Sequence, residues 1–406
     1  MNVPELRFKG FKKEWDFCSV GDFYYFKNGL NKGKEFFGFG TPIVNFTDVF
    51  NNRGLTSDIL KGRVSLSKKE ISSFEVKKGD IFFTRTSETL EEIGYPSVML
   101  DESNDTVFSG FVLRGRAINE DPLSDLFKKY VFFTNDFRKE MIRKSSMTTR
   151  ALTSGTSIKK MEFYFPENKM EQEKIGIFHS IIDKEIIFIT TRIKLLKQIK
   201  TASLQSMFPQ EGETVPKVRF KGFKEGWKKE KLGNLFKERI ENNINGELLS
   251  VTINNGIIKA SDNGRFDNSN NDKSHYKVVK IGDIVYNTMR MWQGASGYSA
   301  YEGIVSPAYT VIIPQEQVFP LFFAYLFKTQ SLINRFRIHS QGLTTDTWNL
   351  KFAGFSIIEV CFPKSKLEQQ KIASYFCNLD KQISLQTQRL EKLKQIKAAC
   401  LDKMFV

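Results

Sequence analysis

The chain has 406 residues, enough for two or three domains, and its 40% hydrophobic and 13% aromatic content can bury substantial cores and argues against disorder. Sixty-one Lys and Arg against 46 Asp and Glu leave a formal charge of +15, which favours a polyanionic partner such as nucleic acid. No run has the length of a membrane span or the apolar core of a signal peptide. Cys18, Cys361, Cys377 and Cys400 form no CxxC pair or disulfide framework, so a reducing, cytoplasmic home is expected.

The chain opens with VPELRFKGFKKEWDFCSVGDF at residues 3–23, in which basic and aromatic side chains interleave. Such a string reads either as a surface on which a nucleic-acid strand stacks or as a segment whose aromatics pack against a domain, and packing is the favoured reading. Short β-like runs follow with turns between them: TPIVNFTDV, KKGDIFFTRTS and TVFSGFVLRGRA. A helical pattern then begins at Asp121 and Pro122, in DPLSDLFKKYVFFTNDFRKEMIRKS. Phe165 and Pro166 end a strand, and the next 40 or so residues repeat apolar positions at steps of three and four: Ile175, Ile182, Ile186, Ile189, Ile193, Leu196, Ser203 and Met207. This is the narrow seam of a long helix that packs against another long helix, stopped by Pro209.

After a linker at 209–214 the same plan starts again. VPKVRFKGFKEGWKKEKLGNL at 215–235 repeats the opening at an offset of 212, matching Pro4, Arg7, Phe8, Gly10, Phe11 and Trp15 with Pro216, Arg219, Phe220, Gly222, Phe223 and Trp227. KIGDIVYNTMRMWQGASG and GIVSPAYTVIIP take the places of the earlier β-like runs, and FPLFFAYLFKTQSLINRFRIHS, with Pro320 early in it, takes the place of the helical pattern. Residues 362–405 then align with 165–208 without a gap, with 21 of 44 positions identical, and their seam is Ile372, Leu379, Ile383, Leu390, Leu393, Cys400 and Met404. The predicted organisation is an α+β domain at 1–164, a long helix at 165–208, the linker, a second α+β domain at 215–361 and a second long helix at 362–406. At 1.5 Å per residue each helix is on the order of 55 Å long, and the two seams are expected to meet in an antiparallel coiled coil.

The helices are nearly duplicated, whereas the domains share only a skeleton and a Gly-Asp-Ile turn (Gly79-Asp80-Ile81 and Gly282-Asp283-Ile284). A common scaffold carrying two different readers is the simplest account. These features together, the VPxxRFxGFxxxW openings, the GDI turns leading into strands and the helices that begin Glu-Gln-x-Lys-Ile and end with Lys-Gln-Ile-Lys and Met-Phe, resemble the DNA-specificity subunit of type I restriction-modification systems over essentially the whole chain. The resemblance implies two α/β target-recognition domains in a pseudo-two-fold arrangement, separated by the helices. Each domain would read one half of a split, asymmetric DNA sequence, and the helices would space the readers and dock two methyltransferase subunits. Restriction subunits would join that complex. Independently of the family, two unlike domains on antiparallel helices meet a duplex in opposite orientations, so a bipartite, non-palindromic target is expected.

The sequence offers no reaction chemistry of its own. There is no Pro-Pro for the Asn/Asp-Pro-Pro-aromatic turn of an amino-methyltransferase and no GxxxxGK(S/T) phosphate loop, and Phe37-Gly38-Phe39-Gly40 reads as an ordinary turn. His179, His275 and His339 have no ligand spacing and read as surface or packing residues. No catalytic residue, metal or cofactor is assigned to this chain. S-adenosylmethionine is expected on the methyltransferase partner, and ATP and Mg on the restriction partner.

Base-contact candidates are chosen by chemistry, since Arg reads guanine and Asn or Gln reads adenine by paired hydrogen bonds, while Lys neutralises phosphate. They are Asn45, Arg85, Thr86, Lys144 and Arg150 in the first domain, and Asn287, Arg290, Trp292, Gln293, Gln341 and Thr344 in the second, with Trp292 read as packed rather than intercalated. Partner-docking candidates are the repeated helix residues expected to be exposed: Glu171, Gln172, Lys174, Lys197, Gln198 and Lys200, with Glu368, Gln369, Lys371, Lys394, Gln395 and Lys397. Two other classes compete: a self-contained DNA methyltransferase or nuclease, which would turn over as the lone chain, and a nucleic-acid-binding scaffold without sequence preference, which would bind any duplex in a salt-dependent way.

Overall fold

The computed structural model describes residues 2–253, 256–263 and 272–406. The chain divides into two compact units, Met1–Thr190 with Gln388–Val406, and Thr191–Thr387. Two helices of 38 residues, Lys169–Ser206 and Lys366–Lys403, contribute to both units. Among the described residues no helix is long and apolar enough to cross a membrane.

In the first unit the opening segment folds onto the start of the first long helix. Arg7 donates two hydrogen bonds to the Glu171 carboxylate at 2.7 and 2.8 Å, and the Trp15 indole N–H approaches it at 3.4 Å. Glu171 is only 1% exposed, so the guanidinium supplies the charge and the hydrogen bonds that make a buried carboxylate tolerable. The next residue performs a second fastening. Gln172 accepts from Ser124 N at 2.6 Å and donates to the Pro122 and Pro166 carbonyls at 3.0 and 2.8 Å, tying the helix to the domain it leaves. Phe8 meets Phe178 edge to face, and the Lys174 ammonium lies 5.1 Å from the Phe11 ring centre.

The second unit repeats these contacts. Arg219 donates to Glu368 at 2.6 and 2.8 Å, the Trp227 N–H approaches it at 3.3 Å, and Lys371 lies over Phe223. Gln369 accepts from Phe319 N and donates to the Gln317 and Pro363 carbonyls. The packing reading of the RFKGF segments therefore holds in both units. The expectation that Glu171, Gln172, Glu368 and Gln369 are exposed does not: all four are buried, because their polar ends find complete sets of partners inside their own unit.

Each domain is a sheet flanked by helices, mixed in the first unit and antiparallel in the second. In the first unit Asp16–Ser19 pairs antiparallel with Glu162–Phe165, and the main sheet has the spatial order Tyr24–Asn28, Val112–Ala117, Ile81–Thr84, Pro96–Met99, Gly54–Leu55. In the second, Lys228–Lys231 pairs with Glu359–Phe362, and the sheet runs Phe236–Glu238, Tyr309–Pro314, Ile284–Asn287, Ser296–Tyr298. The GDI turns feed the central strands. Gly79 and Gly282 have φ of +84° and +97°, which glycine alone adopts without strain. Asp80 and Asp283 are buried and held by two-pronged arginine contacts, from Arg116 at 2.7 Å and Arg239 at 2.9 Å.

The helical pattern after each sheet is two helices rather than one: Asp125–Val131 with Asn135–Lys144, and Pro320–Leu326 with Gln330–Ile338. Thr134 and Thr329 adopt extended backbone at the breaks. The first of these helices is capped by Ser124, whose hydroxyl accepts from Phe127 N, rather than started by Asp121. Asp121 instead pairs with the buried Lys128 at 2.7 Å. Phe37 and Thr41 both stand opposite Val64, so the FGFG stretch is a bulge carried by Gly38 and Gly40 at positive φ.

The helix seams are buried as expected, at Ile175, Ile182, Ile189, Ile193, Leu196 and Met207 on the first helix and Ile372, Leu379, Leu390, Cys400 and Met404 on the second. Within the first unit Asp183 pairs with Lys397 and Glu185 with Arg389, so the helix segments run antiparallel. Within the second, Lys200 pairs with Asp380, and Ser203 lies 2.9 Å from the Tyr375 hydroxyl. Tyr130 and Tyr325 donate to the same two aspartates at 2.8 and 2.9 Å.

One core position breaks the repeat. His179 is 0% exposed among Tyr130, Phe178 and Phe405, and neither ring nitrogen has a hydrogen-bond partner. The matching residue of the second unit is Phe376, packed on Phe208, Tyr325 and Tyr375. Burial pulls the His179 imidazole down to about 4 from 6.5.

Two outcomes are expected. Replacing Glu171 or Glu368 by Ala strands an arginine and an indole N–H, and chemical unfolding should show a loss of about 3 kcal/mol for each. His179→Phe should stabilise the chain by roughly 1–2 kcal/mol at pH 7, since it removes two unsatisfied nitrogens. The folded pKa lies below the unfolded one, so the histidine's stability deficit on acidification begins as pH falls through 6.5 and grows towards pH 4. Unfolding curves of His179→Phe should lack that part of the pH dependence.

Candidate nucleic-acid interface

The loop that leaves each central strand meets a hairpin that follows the helix pair. In the first unit Thr86–Ser87 pairs with Ala151–Leu152, which in turn pairs with Ser146–Met147. Two backbone bonds fix the loop's base: Arg85 N donates to the Phe111 carbonyl at 2.9 Å, and Thr153 N donates to the Arg85 carbonyl at 3.1 Å. The second unit makes the same two bonds at matching places, Thr288 N to the Ala308 carbonyl at 3.1 Å and Leu350 N to the Thr288 carbonyl at 2.9 Å. One backbone frame thus carries Arg85 and Thr86 in one unit and Thr288 and Met289 in the other.

In the first unit the frame brings together Arg85, Thr86 and Arg150. Arg85 is half-buried, with its guanidinium 3.4 Å from the Gly110 carbonyl, and Arg150 is exposed in a 3.2 Å pair with Glu88. An exposed pair of this kind is worth little and is open to exchange for another anion. Asn45 and Lys144 are engaged elsewhere. The Asn45 backbone N–H binds Asp48 at the start of the helix Phe46–Asn51, and Lys144 binds Glu140 at 2.9 Å and the Lys160 carbonyl.

In the second unit all six candidates come together. Asn287 ends the central strand and accepts from Met289 N at 3.0 Å. The turn Met291–Gln293 presents Trp292 and Gln293 half-exposed and closes on Gly294 at φ +83°. Trp292 packs edge-on against Trp348 of the hairpin, 5.2 Å between ring centres, and Arg290 reaches Asp346 at 4.0 Å. Gln341 and Thr344 stand exposed on the same hairpin. Underneath, Lys328 donates to the carbonyls of Ile253, Gly294 and Ser296, and burial brings its ammonium down to about 8.

On the long helices the docking candidates separate into three groups. Glu171, Gln172, Glu368 and Gln369 are consumed by the internal contacts described above. Lys174 and Lys371 are exposed but lie over Phe rings, while Lys200 and Lys397 are tied to Asp380 and Asp183. Lys197, Gln198, Lys394 and Gln395 face solvent, Lys394 with Glu391 at 2.9 Å. Reasoning from polar repeats overlooked an exposed apolar stripe on the first helix within the first unit, Met170, Ile177, Ile181 and Phe188, 47–64% exposed. Their spacing of seven, four and seven was readable as a second face beside the seam. It also overlooked a repeat in the hairpins, Met147-Thr148-Thr149 and Leu343-Thr344-Thr345.

Residues 224–395 match the family model of the type I restriction modification DNA specificity domain. Among solved structures, the whole chain is similar to 99% of the type I restriction-modification system S subunit from M. genitalium, at 15% identity and a TM-score of 0.61. It is also similar, over 96% of its own length and 97% of the other's, to a chain from a structure concerned with complex assembly and conformational transition of the type I R-M system, at 13% identity and a TM-score of 0.50. No curated protein matches the chain. Two α+β units that each pair segments of two long helices are the fold of such S subunits, and within that fold residues 224–395 match the type I restriction modification DNA specificity domain.

Proposed function

We propose that this chain is the sequence-reading subunit of a type I restriction-modification complex, that each unit reads one half of a bipartite, asymmetric DNA target, and that the exposed helix faces dock two methyltransferase subunits, through which restriction subunits join. The carrying observation is the shared loop-and-hairpin frame, fixed by the same backbone bonds in both units but bearing different side chains. Identical frames approach DNA in the same way, and different side chains then select different bases. In the first unit Arg85, Thr86 and Arg150 are the base-edge candidates, with Asn45 and Lys144 as outlying ones. In the second, Asn287, Arg290, Gln293, Gln341 and Thr344 take that role, and Trp292 braces the hairpin.

The family's specificity domain is non-catalytic, so methyl transfer belongs to the partner, which would carry S-adenosylmethionine, and translocation and cleavage to a restriction subunit using ATP and Mg. The docking surfaces of this reading are taken unit by unit: Lys394 and Gln395 with the apolar stripe at Ile177, Ile181 and Phe188 in the first, and Lys197 and Gln198 in the second. They do not include the buried Glu-Gln pairs.

Co-expressing the chain with the methyltransferase subunit encoded beside it, and mapping methylated adenines by long-read sequencing, should reveal a split motif of two unlike halves that vanishes when this chain is omitted. Methylation unchanged by the omission would sink the proposal. Arg290→Ala should relax one position of one half-site and weaken binding roughly tenfold, leaving the other half-site intact. Reversing charge at Lys197 and Lys394 together should reduce co-purification of the methyltransferase without altering thermal unfolding.

A further inference from the structure

Met147 and Leu343 are each followed by two threonines in the two hairpins; Met147 lies opposite Ala151 in its strand pair, and Leu343 lies two residues past the Gln341–Asn349 pair, nearer the turn. The hairpins are rigid by construction. In the first unit Ser146–Met147 is paired with Ala151–Leu152, and Thr148 N closes the turn onto the Arg150 carbonyl at 3.2 Å. In the second, Gln341 and Asn349 exchange backbone bonds at 3.0 and 2.8 Å, and Thr347 N and Trp348 N both bind the Thr344 carbonyl. Gly342 has φ +146°, and a Cβ there would fall 2.6 Å from the Thr347 carbonyl group, so only glycine permits this pinch. The pinch turns Leu343 fully outward, 100% exposed, and Met147 is 50% exposed.

An aliphatic side chain held in water on an ordered hairpin forgoes the stabilisation that burial would give it, and nothing in the fold of either unit requires it. The hairpins that carry Met147 and Leu343 also carry or contact groups proposed for DNA: Arg290 and Trp292 reach Asp346 and Trp348 of the Leu343 hairpin, and Arg150 lies in the turn of the Met147 hairpin, whose second strand pairs with Thr86–Ser87. Leucine and methionine are among the side chains that DNA-bending proteins push between base pairs, and a wedge needs a stiff mount, because a floppy loop would lose in ordering entropy what insertion gains.

We propose that Met147 and Leu343 are paired wedges, each entering one base step of the half-site read by its own unit and unstacking it, so that each half-site is selected partly for how easily that step opens. This rests on the DNA-reading function proposed above. Flanking guanidiniums neutralise the backbone around the opened step, and the threonine hydroxyls that follow each wedge are placed for phosphate or base edges.

The test uses the full chain assembled with its methyltransferase subunit and duplexes of the mapped target carrying 2-aminopurine at successive half-site positions. The wild-type complex should raise 2-aminopurine fluorescence several-fold at one step in each half. Leu343→Ala should abolish the rise only in the half read by the second unit and weaken binding about tenfold, and Met147→Ala should do the same in the other half. Both variants should unfold at the wild-type temperature, since neither side chain is packed. A wild-type complex that methylates a split motif yet opens no step, or alanine variants that leave the rise and the affinity unchanged, would overturn the wedges while leaving the reading function standing. Absence of any chain-dependent methylation would overturn both.

Discussion

A single buried carboxylate holds each half of this protein together. Glu171 and Glu368 sit at the first turns of the long helices, and each is claimed by an arginine and a tryptophan from a segment roughly 150 residues earlier in the chain. Without the arginine, a carboxylate at 1% exposure would be too costly to keep charged. With it, the opening segment, the domain and the helix become one body. The glutamine that follows fastens the helix start to the helical hairpin. Helix direction is therefore set relative to the domain within each unit, and the surfaces that the domain presents are set with it.

On that base the two units diverge in a controlled way. Backbone contacts at the loop after the central strand are the same in both, because they depend on peptide groups rather than on particular side chains. Side chains above that frame are free to differ, and they do: arginine and threonine at one site, threonine and methionine at the other. The buried aspartates of the GDI turns show the same economy, since one is met by Arg116 from a neighbouring strand and the other by Arg239 from a different part of the chain. What the fold needs is a guanidinium at that place, whichever strand supplies it. His179, by contrast, keeps an imidazole where the other unit has a phenyl ring, in a pocket that offers its nitrogens nothing.

Self-similarity made most of the architecture legible in the sequence. Two gapless helix repeats with apolar seams, two RFKGF openings and two GDI turns define two equivalent α+β units and two long helices, because periodicity and repetition are local properties of the chain. The family resemblance followed from those residues. Break points inside the helical patterns were less legible, since a Thr in extended conformation between two amphipathic stretches leaves the period almost undisturbed.

What only the tertiary structure decided is which repeated residues look inward. Glu-Gln at a helix start reads as a solvated, capping or docking pair, and the arginine that buries it lies far away in sequence. Likewise, Lys200 and Lys397 look free until the opposing helix supplies Asp380 and Asp183. Burial of a charge depends on a partner brought by the fold, so sequence pattern alone cannot assign it. The exposed Leu343 and Met147 are the converse case: aliphatic residues that composition would place in a core are held outside, Leu343 by a hairpin whose geometry turns on Gly342 and a few backbone bonds, Met147 by a hairpin closed by backbone bonds alone. The sequence by itself determined the repeating plan and the family resemblance; the tertiary structure chose which side chains were left exposed, because only three-dimensional packing settles which polar groups are already satisfied.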